Sequence, residues 1–522
     1  MVPTPSPSLL EQLNKITTTV RQSLVLTLGA NAWTKSIESS SATNGEQQQT
    51  RFRSTSSQQS TDSPNTNAPV QPPAKEEEKE KSSVKPSNQS VTTTHPILSR
   101  SLLRSKCKTL VDSLKQAQTT RSRNLGLQEL CKLSLLYPDS PAMIAQQGGI
   151  RTLLAMQGSC DDETTAALIR QGLAVIGYAR PPSGKGVKLL SIDGGGTKGL
   201  VILEVLRNLE QTNGKPIHQM FDLICGVSTG AILATLLGTL HLSIDECERI
   251  YKETSAYMFQ SNIFSGTSRL LLRHAYYDTE RWETILKHMF PDRALIETSQ
   301  SPLCPKVVLI SALSNTPRLQ PFAFRNYNLP DKSLSDYESS CEYRVWEAIR
   351  ASAAAPGYFE EFILDGLVHQ DGGVLINNPA AIAIHEAQLL WPNEPIQTCV
   401  SIGSGKFTPT AVVNRTVKPS QTSLMTKIAK LIDSATDTEG VHRLLQDLLP
   451  PGTYFRLNPT LTSFFTIDET DPKRLNQMKL DALMYLRKNE YKMQAACQSL
   501  LLDRGYVKRS QDWFKQQAGL LF

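Results

Sequence analysis

The chain has 522 residues, a formal net charge of +6, a pI near 8.7, 39% hydrophobic residues and a mean hydropathy of −0.27. Such values suit a soluble chain of two or three domains, and they are too weakly basic to argue for nucleic acid, though compatible with an anionic membrane surface. No apolar run reaches the roughly 18 residues of a spanning helix, and the dispersed cysteines read as reduced thiols of an intracellular compartment. No Cys/His cluster has zinc spacing and no acidic loop has calcium spacing, so neither metal nor cofactor is expected.

In chain order, Ser8 to Leu26 suits an amphipathic helix rich in Ser and Thr. With one acid and few bases it is as compatible with an ordinary amphipathic segment as with a mitochondrial presequence. From about Ser36 to His95 the chain is Ser/Thr/Gln/Pro-rich with a charge run at Lys75–Lys81, so residues 1–95 are expected to be mostly disordered. Asn88-Gln-Ser90 has the glycosylation spacing but reads as accidental in an intracellular chain. Residues 96–180 turn helical, with Leu110, Val111 and Leu114, then Leu127, Leu130 and Cys131, then Ile150, Leu153 and Leu154 at helix spacing. The Gly148-Gly149-Ile150 turn before a long helix resembles an armadillo-type repeat; one or two such units form a helical platform rather than a solenoid. Residues 181–186 are a Pro/Gly linker.

Val187–Ile192 reads as a strand that ends in Asp193-Gly194-Gly195-Gly196-Thr197-Lys198-Gly199, followed by helical spacing from Val201 to Leu209. Consecutive glycines before a helix let backbone N–H groups converge, which suits an oxyanion or a phosphate equally. The same residues satisfy Gly-x-Gly-x-x-Gly, so a dinucleotide site is the rival reading. That rival needs an acidic residue at the end of the next strand, whereas Asp222 begins one. The next strand, Phe221 to Val227, runs into Gly226-Val-Ser228-Thr-Gly230 and then an apolar helix. A Gly-x-Ser-x-Gly turn between strand and helix is a nucleophile elbow: the glycines allow the sharp turn, and the helix start favours negative charge at the serine oxygen.

Further strands are expected at 306–311, 319–324, around Val368 and at 398–402, with helices near 243–258, 280–288, 343–354 and 379–390. This alternation predicts a three-layer α/β sandwich around a mostly parallel sheet. Asp371-Gly372-Gly373 follows the strand around Val368, on a loop where catalytic groups tend to lie. Asn378 is expected as N-cap with Pro379 at the first helical position. Ser401–Lys406 suggests a phosphate loop, but its spacing is wrong for one and it reads as a turn after a strand. Beyond Ser423 the pattern is helical, broken at 452–458. The expected organisation is therefore a catalytic core at 187–390, with 391–522 completing it and adding a helical end. The final Gly-Leu-Leu-Phe522 is not a peroxisomal signal.

At the glycine loop, the elbow and the Asp-Gly-Gly turn, the chain resembles the patatin-like phospholipases over roughly residues 187–461. The resemblance implies a Ser228–Asp371 dyad, an oxyanion site at Gly194, Gly195 and Gly196, and supporting roles for Gly199, Gly226, Gly230, Gly372 and Gly373. It also implies a calcium-independent hydrolase of fatty acyl esters in membrane glycerophospholipids. One departure is Lys198, where the family usually has arginine; lysine keeps the charge but loses the planar fork. The histidines after Ser228 do not follow a strand in the order a Ser-Asp-His triad needs, and Asp193 competes with Asp371 as a base. The expected partners are phospholipid substrate and membrane surface, with a protein partner through the helical region and no nucleic acid. The expected place is intracellular, peripheral on mitochondrial, peroxisomal or endoplasmic reticulum membranes. Residues 255–264 and 270–277, apolar and flanked by Arg269 and Arg273, are expected either to meet lipid or to pack in the core. A catalytically silent scaffold and a nucleotide-binding protein are the alternatives.

Overall fold

In the computed structural model the described residues are 98–259, 275–290, 292–330, 333, 335–407 and 438–518. The expectations for residues 1–95 and most of the 255–277 stretch lie outside them. Among the described residues five helices come first: α1 (Arg100–Gln116), α2 (Thr120–Leu136), α3 (Ser140–Gln146), α4 (Gly149–Gly158) and α5 (Glu163–Val175). Their apolar faces meet in one cluster in which Leu127, Leu130, Ile144, Leu153 and Ile169 are fully buried. Gly148 is left-handed at φ +81°, and a Cβ on Gly149 would lie 2.7 Å from the Ile144 carbonyl oxygen, so this turn needs both glycines. Ile296 and Cys341 close the same cluster from later in the chain. Gln300 donates to Gln171 at 2.7 Å and Asn328 to the Val175 carbonyl at 2.8 Å, which fastens the helices to the sheet domain.

That domain is built on β1 (Val187–Ile192), β2 (Leu223–Val227), β3 (Lys306–Leu313), β4 (Gln320–Arg325), β5 (Glu338–Ser340), β6 (Phe362–Leu364), β7 (Leu367–Asp371), β8 (Ile396–Ile402) and β9 (Tyr454–Leu457). The sheet order is β5-β4-β3-β2-β1-β8-β9, with β7 pairing β3 and β6. All neighbours on the main path are parallel except β3 and β4. Alternation along the strands sends side chains to two separate cores. Leu190, Ile192, Ile224 and Leu309 face one core with α6 (Gly199–Asn213), α7 (Thr229–Gly238), α8 (Ile244–Phe259), α9 (Thr279–Met289) and α10 (Val345–Ser352). Leu189, Leu223, Cys225 and Val308 face the other with α11 (Ala380–Leu390) and α12 (Thr438–Leu448). This is the three-layer, mostly parallel sandwich that the alternating pattern predicts. Leu486 of α13 (Pro472–Lys488) and Met493 of α14 (Glu490–Leu501) extend the first core, and α15 (Tyr506–Ala518) ends the described chain.

Three local readings need correction. Residues 452–458 are more than a break in helix: Tyr454–Leu457 is the parallel edge strand β9 beside β8. Its pattern is masked by Arg456, whose charge is buried against Asp193. The helix after Asn378 begins at Ala380, one residue late, with the Asn378 side chain accepting from the Ala380 N–H at 3.2 Å. The helix expected over 343–354 is confined to Val345–Ser352. Among the described residues no helix is long and apolar enough to cross a membrane.

Candidate active site

β1 and β2 run side by side and end at the same edge of the sheet, which brings their two glycine-bearing turns together. Ser228, the residue after β2, has φ +55° and ψ −121°, a conformation that costs a non-glycine residue about 1–3 kcal/mol. The surroundings hold it there. A Cβ on Gly226 would lie 2.2 Å from the Gly230 carbonyl oxygen, and one on Gly230 would lie 2.2 Å from that of Ile192. The Ser228 N–H donates to Ser352 Oγ at 2.9 Å, and Ser352 Oγ donates to the Ile310 carbonyl at 2.6 Å. The end of α10 and strand β3 thus clamp the elbow, a role nothing local to Ser352 announces.

The Ser228 hydroxyl donates to Asp371 Oδ2 at 2.6 Å across 143 positions of chain. Asp371 arrives there because β7 pairs antiparallel with β3, Ser311 opposite Asp371. Its other oxygen accepts from the Gly373 N–H at 2.7 Å. A Cβ on Gly372 would lie 2.4 Å from the Ile310 carbonyl, so the turn after the aspartate also requires glycine. Burial pushes the Asp371 carboxyl up to about 6, against the hydrogen bonds from Ser228 and Gly373, which pull it down. A carboxylate titrating there is better matched to taking a proton near neutral pH than an exposed aspartate.

The glycine loop lies against the same serine. A Cβ on Gly194 would lie 3.1 Å from Ser228 Cβ. Its N–H makes a long contact of 3.4 Å to the Asn377 carbonyl. The N–H groups of Gly195 and Gly196 have no acceptor among the described residues. Gly196 has φ +55°, and a Cβ there would lie 2.0 Å from the Ile467 carbonyl. Thr229 Oγ1 donates to the Gly196 carbonyl at 2.8 Å, the Tyr251 hydroxyl donates to it too, and the Thr197 N–H donates to Ile467 at 2.7 Å. The Gly196–Thr197 peptide is therefore fixed at both ends. Gly199 lets α6 pass Tyr251, where a Cβ would come within 2.7 Å of the ring.

Asp193 is occupied elsewhere: Arg456 grips both its oxygens, at 2.9 and 2.6 Å, with both side chains 2% exposed. Lys198 is buried on the far side of the loop from Ser228, beside Ser404 and Asn377. Asp222 accepts from the Lys188 N–H at 2.9 Å at the start of the strands, the opposite edge from the glycines, so the acidic partner of a dinucleotide fingerprint is not assembled. Among the described residues no histidine bonds to Ser228 or Asp371. His369 is buried in β7 with Nδ1 on Ser311 Oγ at 2.8 Å, between the Phe322 and Phe324 rings, and burial pushes it down to about 4. His385 meets the Tyr337 ring and His442 the Tyr454 ring.

Ser228 opens onto an apolar cavity. Ser228, Ile232 and Leu236 line it at four-residue spacing, so it follows α7 for about 12 Å. Thr254 and Met258 of α8, with Trp282, complete much of the opposite wall. Of the stretches expected to meet lipid, the described part points inward: Met258 and Phe259 line this cavity, and Tyr277 is buried with its hydroxyl donating to Asp468 at 2.6 Å.

A strained serine elbow bonded to a buried aspartate beside a triple-glycine loop, on a three-layer sheet, defines the patatin class of α/β domain. Residues 190–384 match the patatin-like phospholipase family. The chain is 42% identical over 422 residues to the calcium-independent phospholipase A2-gamma of Oryctolagus cuniculus, covering 80% of this chain and 53% of that protein. The Homo sapiens protein of the same name gives the same identity and coverage. Phospholipase A I of Arabidopsis thaliana is 34% identical over 61% of this chain and 28% of its own. The chain thus spans about half the length of the first two relatives.

Proposed function

We propose that the chain hydrolyses fatty acyl esters of glycerophospholipids without calcium, through Ser228 and Asp371. The observation that carries this reading is the 2.6 Å hydrogen bond from the Ser228 hydroxyl to Asp371, made in a strained elbow that opens onto an apolar cavity. As Ser228 Oγ attacks the ester carbonyl, Asp371 takes its proton. The carbonyl oxygen gains negative charge and is received by the N–H groups of Gly195 and Gly196, with Gly194 beside them. The C–O bond to the glycerol breaks, and the proton passes from Asp371 to the departing alkoxide. Water then attacks the acyl-serine with Asp371 again as base, releasing fatty acid and restoring the hydroxyl. The acyl chain lies in the cavity along α7. Gly226, Gly230, Gly372 and Gly373 shape the two turns.

The relatives' names support the substrate class and the independence from calcium. The phospholipid substrate supports a peripheral position on membrane surfaces, and helices α1–α5 are proposed as the site of a protein partner. The test is product analysis with purified chain and phosphatidylcholine vesicles in EDTA. Release of fatty acid by the wild type and none by Ser228→Ala is expected. Turnover that stops in EDTA and returns with calcium would refute the reading.

A further inference from the structure

The family match ends at residue 384, yet the glycine loop is held from beyond it. The Thr197 N–H donates to the Ile467 carbonyl at 2.7 Å, and Ile467 also lines the apolar cavity. This contact sets the plane of the Gly196–Thr197 peptide and, through the Gly196 Cα, steers the Gly196 N–H. The carbonyl end of that peptide is held by Thr229 and Tyr251, which stand on the helices α7 and α8. Ile467 instead lies in the irregular stretch between β9 and α13.

That stretch is fastened at its two ends. Thr462 gives its N–H and its hydroxyl to Asp481 of α13, at 2.8 and 2.9 Å. Arg474 of the same helix grips Glu469 and donates to the Phe464 carbonyl at 2.7 Å. Among the described residues, the middle of the stretch, 465–468, takes part in two hydrogen bonds. One is from Thr197 to the Ile467 carbonyl; the other is from the Tyr277 hydroxyl to Asp468 Oδ2 at 2.6 Å. The second therefore pins the turn that carries Ile467 without drawing on the glycine loop itself.

Tyr277 is a firm anchor. It is 5% exposed, its N–H donates to the Tyr358 carbonyl at 3.0 Å, and its ring packs 4.9 Å from that of Phe259 and 6.1 Å from that of Tyr358. Burial first, and then the Asp468 carboxylate, holds the phenol well above its ordinary value, so it remains a donor near neutral pH. A carboxylate acceptor makes the bond charge-assisted, and so stronger than one between neutral groups.

We propose that Asp468 and Tyr277 are positioning residues for the oxyanion site: their hydrogen bond keeps Ile467 against the glycine loop, and so keeps the Gly196 N–H aimed. The inference rests on the hydrolase reading above. Its test uses the full chain and three variants. Tyr277→Phe removes the hydroxyl and keeps the ring, Asp468→Ala removes the acceptor, and Asp468→Asn keeps an oxygen that can accept. Loss of a whole oxyanion donor costs roughly 10²–10³-fold, so a donor still present but less firmly aimed should cost about tenfold. With p-nitrophenyl butyrate, kcat per serine labelled to completion by a fluorophosphonate should fall by that factor in Tyr277→Phe and in Asp468→Ala. KM should stay within about twofold, and the double variant should be no worse than either single change. Asp468→Asn should recover most of the loss. Hydrogen–deuterium exchange at the Thr197 amide should quicken about tenfold in the first two variants. Unchanged kcat per labelled serine in both would overturn the proposal. A loss confined to KM would also overturn it, assigning the pair to acyl binding. If the wild type cleaves no ester, the hydrolase reading falls, and exchange at Thr197 still decides whether the pair braces the loop.

Discussion

Replacing Asp371 by asparagine keeps the shape of the side chain and removes its ability to accept a proton. Positioned general bases are worth roughly 10²–10⁴-fold, so kcat should fall by that amount. The structure also fixes what happens to stability. The Asp371 carboxyl is raised from 3.8 to about 6 by burial. The folded protein therefore binds this proton more tightly than the unfolded chain. Stability from this group is present below pH 4 and is lost as pH rises through 6. At neutral pH the ionised carboxylate costs about 3 kcal/mol relative to an unperturbed one. Asparagine carries no such charge, and its amide oxygen can still accept from Gly373 or Ser228. Asp371→Asn should thus be inactive yet melt no lower than the wild type at pH 7.5, and the wild type should gain less from pH 7.5 than the variant does. The assay is p-nitrophenyl ester turnover beside thermal melts of both proteins from pH 5 to 8. The wild-type kcat/KM should fall towards acid with a midpoint near 6, because the base must be ionised to act. A variant that retains normal turnover, while a change at His369, His385 or His442 abolishes it, would refute the dyad. A variant that is inactive because it melts far lower would refute the electrostatic argument.

Gly196→Ala forces a Cβ to within 2.0 Å of the Ile467 carbonyl at φ +55°, so the loop must move; turnover should drop roughly 10²–10³-fold, as when an oxyanion donor is lost, with fluorophosphonate labelling of Ser228 weakened in parallel. Arg456→Met leaves the Asp193 carboxylate buried without its partner, and urea unfolding should show a loss of about 3–5 kcal/mol, much of it recovered in Asp193→Leu/Arg456→Met. Leu236→Trp fills the cavity two helical turns from Ser228; kcat/KM for p-nitrophenyl palmitate should fall at least roughly tenfold relative to the butyrate ester, and equal loss on both would place the acyl chain elsewhere.

Much of the centre is legible in the chain because its geometry is written in glycines. A turn where a Cβ would lie 2.0–2.4 Å from another stretch of backbone excludes a side chain, and Gly196, Gly226, Gly230 and Gly372 each mark such a place. The strands β1, β2, β3 and β8 are legible for a different reason: they are covered on both faces, so they read as short apolar runs. Strand β9 is not, because a charged residue sits in its middle and its chief partner, Asp193, lies 263 positions away.

What the sequence by itself determined is local: the elbow, the glycine loop, the aspartate turn and the alternation that makes a layered sheet. Each follows from backbone sterics or from side-chain periodicity within a dozen residues. The tertiary structure decided everything that depends on which distant groups meet. It put Asp371 rather than Asp193 against Ser228, by pairing β7 with β3 and giving Asp193 to Arg456. It chose Ser352 to clamp the elbow and Tyr251 and Ile467 to hold the Gly196–Thr197 peptide. It set an apolar cavity on one side of the glycine loop and a polar one on the other. No local signal encodes these meetings, because burial and charge compensation are properties of the packed chain and not of any segment within it.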